Sequence, residues 1–180
     1  IASFGHDQKV DLLRLDVIHP IVSGNKFYKL RYYIEFALAK EVSTVASFGG
    51  PYSNHIVALA YTAKEAGLKS IGYIRTNTDE PMTPSLKEAK AYGMELVYLG
   101  RTDFQSKKAA ILQSSEMNTD CYLIDEGGYG TIGAKGAINA AIGVVAYHGC
   151  FSIQSIIAVP SKNKFTRIEQ YHTVGHILAT

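Results

Sequence analysis

The sequence contains no tryptophan and only two cysteines in 180 residues. The cysteines, Cys121 and Cys150, lack C-x-x-C spacing, so a disulfide framework is not indicated and a reducing cytoplasm is the expected compartment. Long apolar runs are also missing. The longest, from Ala137 to Tyr147, is too short to cross a membrane and predicts a buried helix instead. These absences argue against a membrane protein or a secreted disulfide scaffold.

A strong charge of one sign is absent as well. The formal net charge is +2, and the basic residues are scattered instead of forming a stripe, so a nucleic-acid partner is not expected. Apolar residues make up 47% of the chain, and no segment is of low complexity, which predicts a globular protein. The start of the chain has no signal-peptide pattern and no initiator Met, so we expect the natural N-terminus to lie upstream.

Short β-branched runs alternate with helical patterns along most of the chain. This alternation is typical of βαβ units and predicts an α/β fold with a parallel sheet and flanking helices. The predicted strands are Lys9–Val17, Thr44–Phe48, Ser70–Ile74, Glu95–Leu99, Tyr122–Ile124 and Ser155–Val159. The predicted helices are Phe27–Lys40, Asn54–Ala66, Pro84–Tyr92, Asp103–Met117 and Ile132–Tyr147.

The first candidate site is Ser23-Gly24-Asn25-Lys26, which lies between a predicted strand and a predicted helix. A lysine at the edge of a sheet can form a Schiff base with an aldehyde if its amine is kept partly neutral. Alone, these four residues favour a plain turn followed by a solvated lysine.

The second candidate site is the segment from Gly49 to His55, which follows a strand and begins a helix. The first amides of a helix lack internal partners and can hold a carboxylate or phosphate, and Ser53 and Asn54 add side-chain hydrogen bonds. Alone, this segment favours ordinary helix capping by Ser53 or Asn54.

Two further patterns are weaker. Gly128, Gly130 and Gly133 have the G-x-G-x-x-G spacing of a dinucleotide site, but no Asp or Glu follows before Ser161 to bind a ribose hydroxyl. A tight turn with close helix packing explains these glycines better than an NAD-binding site does.

His172 and His176 could share a helix face, but no third ligand is evident and no metal site is expected.

Taken together, the motifs resemble the 1-aminocyclopropane-1-carboxylate deaminase/D-cysteine desulfhydrase family. This family belongs to the fold type II, tryptophan-synthase-β-like enzymes that use pyridoxal 5′-phosphate. The resemblance covers roughly residues 9–159 and rests on these segments in one order: Leu13–Asp16, His19-Pro20, Ser23–Lys26, Lys29-Leu30, Phe48–Gly50, Tyr52–His55, Gly72–Arg75, Gly93-Met94, Glu126–Gly130, Gly133-Ala134 and Gly136-Ala137.

The resemblance implies a role for each matched residue. Lys26 would be the catalytic Schiff-base lysine and would carry protons, while Asn54 and Lys29 would bind the cofactor. Ser53 would be catalytic beside the substrate, and the amides from Ser53 to His55 would receive its carboxylate. The implied reaction is the cleavage of a small amino acid to a 2-oxo acid and ammonia, with or without loss of sulfide. Family members are commonly homodimers.

The sequence departs from the family after residue 159. Relatives have a Gly/Thr-rich loop there that holds the cofactor phosphate, whereas this chain has Pro160-Ser161-Lys162-Asn163-Lys164. The family's active-site tyrosines and the group facing the pyridine nitrogen also find no counterpart. The resemblance implies that residues 29–130 form the smaller α/β domain and that residues 1–28 and 131–180 are parts of a cofactor domain, which the departure after residue 159 leaves incomplete.

Three functional hypotheses remain from the sequence. The first is a family enzyme present as a fragment or with internal segments missing. The second is a non-catalytic relative that binds a partner or a small carboxylate. The third is an NAD-binding domain, which rests only on the three spaced glycines.

Overall fold

The computed structural model of the protein describes residues 15–115 and 120–138. The helices of this part are α1 (Asn25–Ala39), α2 (Asn54–Glu65), α3 (Pro84–Ala91) and α4 (Phe104–Ser115). The strands are β1 (Thr44–Gly49), β2 (Lys69–Arg75), β3 (Glu95–Leu99) and β4 (Cys121–Ile124). Single 3-10 turns occur at Leu15–Val17 and Glu126–Gly128, and residues 131–138 are helical.

The strands form one parallel sheet in the order β3-β2-β1-β4. β1 is therefore central, with Thr44 opposite Lys69 of β2 on one side and Cys121 of β4 on the other. Parallel neighbours need crossover connections, which α2, α3 and α4 supply in the described part of the chain. The predicted α/β class with a parallel sheet is confirmed.

Both faces of the sheet are covered, which explains why β1 is buried along almost its whole length. Val45 faces a large core that α1, α2 and α3 build with Leu30, Leu59 and Leu86. Phe48 points to the other face and packs with Leu99 of β3 and Phe104 of α4. A strand buried on both faces has a nearly continuous apolar sequence, as residues Val45–Gly49 do apart from Ser47.

The N-termini of α2 and α3 are capped by side chains. Ser53 Oγ accepts a hydrogen bond from the Ile56 amide at 3.3 Å, and Thr83 Oγ1 accepts one from the Leu86 amide at 3.3 Å. Pro84 occupies the first turn of α3, where its missing N–H leaves no helical bond unmade. The hydroxyl of Thr83 also donates to the carbonyl of Pro51, which ties α3 to the loop before α2.

One predicted strand is wrong where it can be compared. Residues Leu15–Val17, the end of the predicted strand Lys9–Val17, form a 3-10 turn, and the Leu15 carbonyl accepts a hydrogen bond from the Gly24 amide at 2.8 Å. Residues 9–14, the predicted strand Ser155–Val159 and most of the predicted helix Ile132–Tyr147 lie outside the described residues.

The proposed division into residues 1–28, 29–130 and 131–180 stays a prediction. Its first boundary falls inside α1, which is continuous from Asn25 to Ala39. Gly133 and Gly136 of the helix at 131–138 leave no room for a Cβ, since one would collide with the carbonyls of Gly128 and Tyr28 respectively. This helix therefore packs closely against the start of α1.

Candidate functional site

The candidate site lies at the carboxyl ends of β1 and β4, which are neighbours in the sheet. Beyond β1 the chain makes the loop Gly50–Ser53 and enters α2, and beyond β4 it makes the turn Asp125–Gly128. The first turn of α1 reaches the same edge. Ligands of open α/β sheets bind at this edge, because the loops that follow adjacent strands leave a crevice there.

Lys26 is the second residue of α1 and is half-buried. Its Nζ donates a hydrogen bond to the Gly127 carbonyl oxygen at 3.0 Å. Burial, with a smaller contribution from the charge of Lys29, lowers the pKa of Lys26 from 10.5 to about 8. Roughly one Lys26 amine in ten is then neutral at pH 7, against roughly one in a few thousand for an ordinary lysine.

The turn that receives Lys26 depends on consecutive glycines. Gly127 has φ 72° and Gly128 has φ 68°, in the left-handed region that other residues avoid. Asp125 stabilises the turn, because its Oδ1 accepts from the Glu126 amide at 2.7 Å and from Lys108 Nζ at 3.1 Å. The glycines thus let the backbone expose the carbonyl to which Lys26 donates.

Lys29 lies on the other side of this turn. Its Nζ is 4.7 Å from the centroid of the Tyr129 ring, a cation–π arrangement, and burial lowers the pKa of its ammonium. Tyr33 OH donates to the Tyr129 carbonyl at 2.6 Å, which fixes the backbone just after the glycines. The ring of Tyr129 itself is 70% exposed.

The loop before α2 is tightly folded. A Cβ on Gly49 would lie 2.6 Å from Ile56 Cγ1 and 2.9 Å from Ser53 Oγ, so only glycine fits there. The Ser53 amide donates to the Gly50 carbonyl at 3.1 Å, and Asn54 is exposed at the first position of the helix. First-turn amides have no intrahelical acceptor, so this terminus can receive an anion.

His55 is the most deeply buried of the predicted site residues, with 3% of its surface exposed. Its Nε2 is 2.9 Å from Ser47 Oγ, and Nδ1 is buried with no hydrogen-bond partner among the described residues. Burial, followed by the charges of Lys26 and Lys29, lowers the pKa of His55 from 6.5 to about 3. The imidazole is therefore neutral at physiological pH.

Lys26, Lys29 and His55 thus meet around the Gly127–Gly128 pair. A Cβ on Gly128 would lie 3.6 Å from His55 Cε1 and 3.7 Å from Lys29 Cβ, so both side chains pack against that residue. Ser53 and Asn54 precede His55 at the start of α2. Their separate roles in cofactor and substrate binding stay predictions.

Sequence reasoning missed Ser47, which contacts His55 from the centre of β1. The available signal was a single serine inside the apolar strand Thr44–Gly49, where a polar side chain must find a buried partner. The His172 and His176 pair lies outside the described residues.

The described residues fit a cofactor that carries an aldehyde. Lys26 provides a half-buried amine of lowered pKa, and α2 begins with first-turn amides that have no intrahelical acceptor, beside the exposed Asn54. The segment Pro160–Lys164, which stands where the resemblance implies a phosphate-binding loop, lies outside the described residues. In the part that the structure describes, no helix is long and apolar enough to cross a membrane.

Comparisons with known proteins agree with the resemblance. A protein of Thermotoga maritima named "putative 1-aminocyclopropane-1-carboxylate deaminase" is 31% identical over 133 residues, which are 72% of this chain and 42% of the relative. A Pyrococcus horikoshii protein of the same name is 30% identical over 140 residues, which are 76% of this chain and 42% of the relative. No protein-family model matches the sequence.

Solved structures that resemble this chain include a deaminase homologue. The crystal structure of an ACC deaminase homologue has a TM-score of 0.65 at 26% identity, over 80% of this chain and 45% of that one. The crystal structure of a threonine deaminase has a TM-score of 0.50 at 21% identity, over 68% of this chain and 37% of that one, which supports the fold alone. The chain spans less than half the length of these relatives. The comparisons favour neither the NAD-binding hypothesis nor the non-catalytic one. The chain belongs to the family of 1-aminocyclopropane-1-carboxylate deaminase homologues and has their tryptophan-synthase-β-like fold.

Proposed function

We propose that this protein cleaves a small amino acid to a 2-oxo acid and ammonia with the help of pyridoxal 5′-phosphate. The observation that carries the proposal is Lys26, a half-buried amine with its pKa lowered to about 8, beside a glycine turn at the carboxyl edge of the sheet. An amine that is partly neutral near pH 7 can attack an aldehyde, whereas an ammonium cannot.

Pyridoxal phosphate, when bound, supplies an electron sink for the breaking of bonds to the substrate's α-carbon. Lys26 would hold the cofactor covalently and then carry a proton at Nζ. Because Nζ donates to the Gly127 carbonyl at 3.0 Å, that oxygen gives the amine a fixed location when it is not bonded to the cofactor. Asn54 and Lys29 would hold the cofactor from the start of α2 and from α1.

The substrate carboxylate would bind at the N-terminus of α2. The amides from Ser53 to His55 lie where the helix dipole favours an anion. The Ser53 amide donates to the Gly50 carbonyl in this structure, so it would have to exchange that bond for one to the carboxylate. Ser53 Oγ accepts from the Ile56 amide, so its hydroxyl proton stays available for a bound oxygen. These contacts would orient the α-carbon relative to Lys26.

Two substrates are candidates. Ring opening and hydrolysis of 1-aminocyclopropane-1-carboxylate give a 2-oxo acid and ammonia, whereas elimination and hydrolysis of D-cysteine give a 2-oxo acid, ammonia and sulfide. The names of the curated relatives support the first. Parallel assays of 2-oxo acid release from both compounds with the full-length protein decide between them.

Trapping of the cofactor tests the proposal directly. The chain is mixed with pyridoxal 5′-phosphate and reduced with borohydride, and the labelled peptide is located by mass spectrometry. We expect the label on Lys26 and its loss in Lys26→Ala. Lys87→Ala, which removes an exposed lysine of α3, is the control and should keep the label. Label spread evenly over surface lysines, or unchanged in Lys26→Ala, would contradict the proposal.

A further inference from the structure

Ser47 and His55 form a buried polar pair inside the apolar core. Ser47 is fully buried in β1, and His55 is 3% exposed at the start of α2. Ser47 Oγ lies 2.9 Å from His55 Nε2 and also donates to the Asp125 carbonyl at 3.4 Å. The pair therefore joins a strand, a helix and the turn that follows β4.

The hydroxyl has one proton, so the direction of these bonds can be deduced. If Ser47 donates to the Asp125 carbonyl, His55 must carry its proton on Nε2 and donate to Ser47, and both bonds are made. If Ser47 donates to Nε2 instead, the Asp125 bond is lost and Nδ1–H is a buried donor for which the described part of the chain offers no acceptor. Buried orphan donors are rarer than unfilled acceptors, so the Nε2–H tautomer is favoured.

The same turn presents the acceptor for Lys26. Asp125 and Gly127 both lie in it, and the imidazole packs against Gly128, where a Cβ would be 3.6 Å from His55 Cε1. The Gly127 carbonyl in turn receives Lys26 Nζ at 3.0 Å. The placement of that carbonyl thus depends on groups from β1 and α2.

The neutrality of this pair matters for the lysine. A carboxylate at the position of His55 would pair with Lys26 and raise the pKa of its amine, which would keep it protonated. A neutral hydroxyl and a neutral imidazole hold the turn without that effect. The charged groups around them are Lys26 and Lys29 of α1, Asp125 and Glu126 of the turn, and Lys108 of α4, which binds both carboxylates.

We propose that Ser47 and His55 are positioning residues that fix the Gly127 carbonyl as the hydrogen-bond acceptor of Lys26. This inference rests on the proposed function in one respect, which is that Lys26 is the amine that binds the cofactor. Ser47 acts through His55 and the turn and touches neither cofactor nor substrate. The hydrogen bond with His55 makes the imidazole tautomer a reporter of the pair.

Nitrogen-15 NMR of the histidine rings in the full chain tests the pair itself. We expect the His55 proton on Nε2 in the unaltered chain. Ser47→Ala removes the acceptor of the Nε2–H, so the Nε2 nitrogen-15 and proton shifts of His55 should move to values of an N–H without a hydrogen bond, while Ser47→Thr keeps the hydroxyl and should retain the original shifts. Ser70→Ala is the matched control, because it removes a buried serine of the neighbouring strand β2. A proton on Nδ1 in the unaltered chain, or no change in Ser47→Ala, overturns the proposal.

The effect on Lys26 is measured by trace labelling with acetic anhydride across a range of pH, with mass spectrometry as the readout. Loss of a well-placed acceptor disfavours the ammonium, so Ser47→Ala should lower the pKa of Lys26 by about half to one unit. Ser47→Thr and Ser70→Ala should leave it unchanged. If Ser47→Ala does not fold, Ser47→Cys, a weaker donor of similar size, replaces it with the same expected direction.

An unchanged pKa of Lys26 in a folded Ser47 variant overturns the positioning role. Neither readout involves the cofactor. A failure here therefore leaves borohydride trapping on Lys26 as an independent test of the proposed function, and a failure of trapping leaves these two readouts valid.

Discussion

Lys26 and Lys29 are three residues apart on α1, so they lie on the same face of the helix. The positive charge of Lys29 disfavours the ammonium of Lys26, although burial is the larger cause of the lowered pKa. Lys29→Gln should therefore raise the pKa of Lys26, by less than burial lowers it. Trace labelling of Lys26 against pH measures the shift, and Lys29→Arg, which keeps the charge, should show none. A downward shift in Lys29→Gln would contradict this account.

The residues of the site could be predicted only in part from the sequence. Local patterns marked Lys26 and the start of α2 as candidates, because they mark helix starts and turns, and the family resemblance added Lys29. The partner of Lys26 could not be found this way, since Gly127 is 101 positions away and contributes a backbone oxygen. Ser47 and His55, eight positions apart, make contact only because a loop returns the chain to the edge of β1.

At the scale of single elements, prediction succeeded where periodicity and caps agree. The strand Glu95–Leu99 has the predicted bounds, α2 and α3 begin at the predicted residues, and Ser53 caps α2 as expected. It failed at Leu15–Val17, where an alternating apolar pattern suggested a strand. Alternation of apolar and polar residues indicates only which side chains can face a core, whereas a strand also needs a neighbouring strand for its backbone hydrogen bonds.

Thr83 gives a test of how elements are coupled. Its side chain caps α3 through the Leu86 amide and also donates to the Pro51 carbonyl in the loop before α2. Thr83→Ala loses both bonds and should reduce the free energy of unfolding by about 1–3 kcal/mol. Thr83→Ser keeps the hydroxyl and should lose much less.

Ser53→Ala provides the comparison, since within residues 15–115 and 120–138 the Ser53 side chain makes only the cap bond to Ile56. Its loss should reduce the free energy of unfolding by about 1 kcal/mol. Urea unfolding of the variants measures the differences. Equal losses for Thr83→Ala and Ser53→Ala would show that the bond to Pro51 contributes nothing to stability.

On the scale of the whole molecule, the described residues already contain one sheet with helices on both faces. This explains how a chain spanning less than half of its relatives can share their fold locally, with a TM-score of 0.65 to the ACC deaminase homologue. The fold class was predictable because alternating strands and helices allow few other arrangements. The strand order was not, since it depends on which strands pair across the crossovers.

The burial of His55 also makes the stability of the whole chain depend on pH. Its pKa is about 3 in the folded protein and returns to about 6.5 on unfolding, so between these values the unfolded chain binds more protons. The free energy of unfolding should therefore fall as the pH drops from 6.5 toward 3, by up to ~1.4 kcal/mol per pH unit from this group alone.

Carboxylates contribute to acid unfolding as well, so the comparison must be made with His55→Gln. That variant removes the titrating ring and keeps a group able to donate to Ser47. In urea unfolding at pH 7, 6, 5 and 4, the unaltered chain should lose stability more steeply than the variant. Parallel losses would mean that the imidazole is not held neutral by its surroundings, and the reason for its buried pairing with Ser47 would then have to be sought elsewhere.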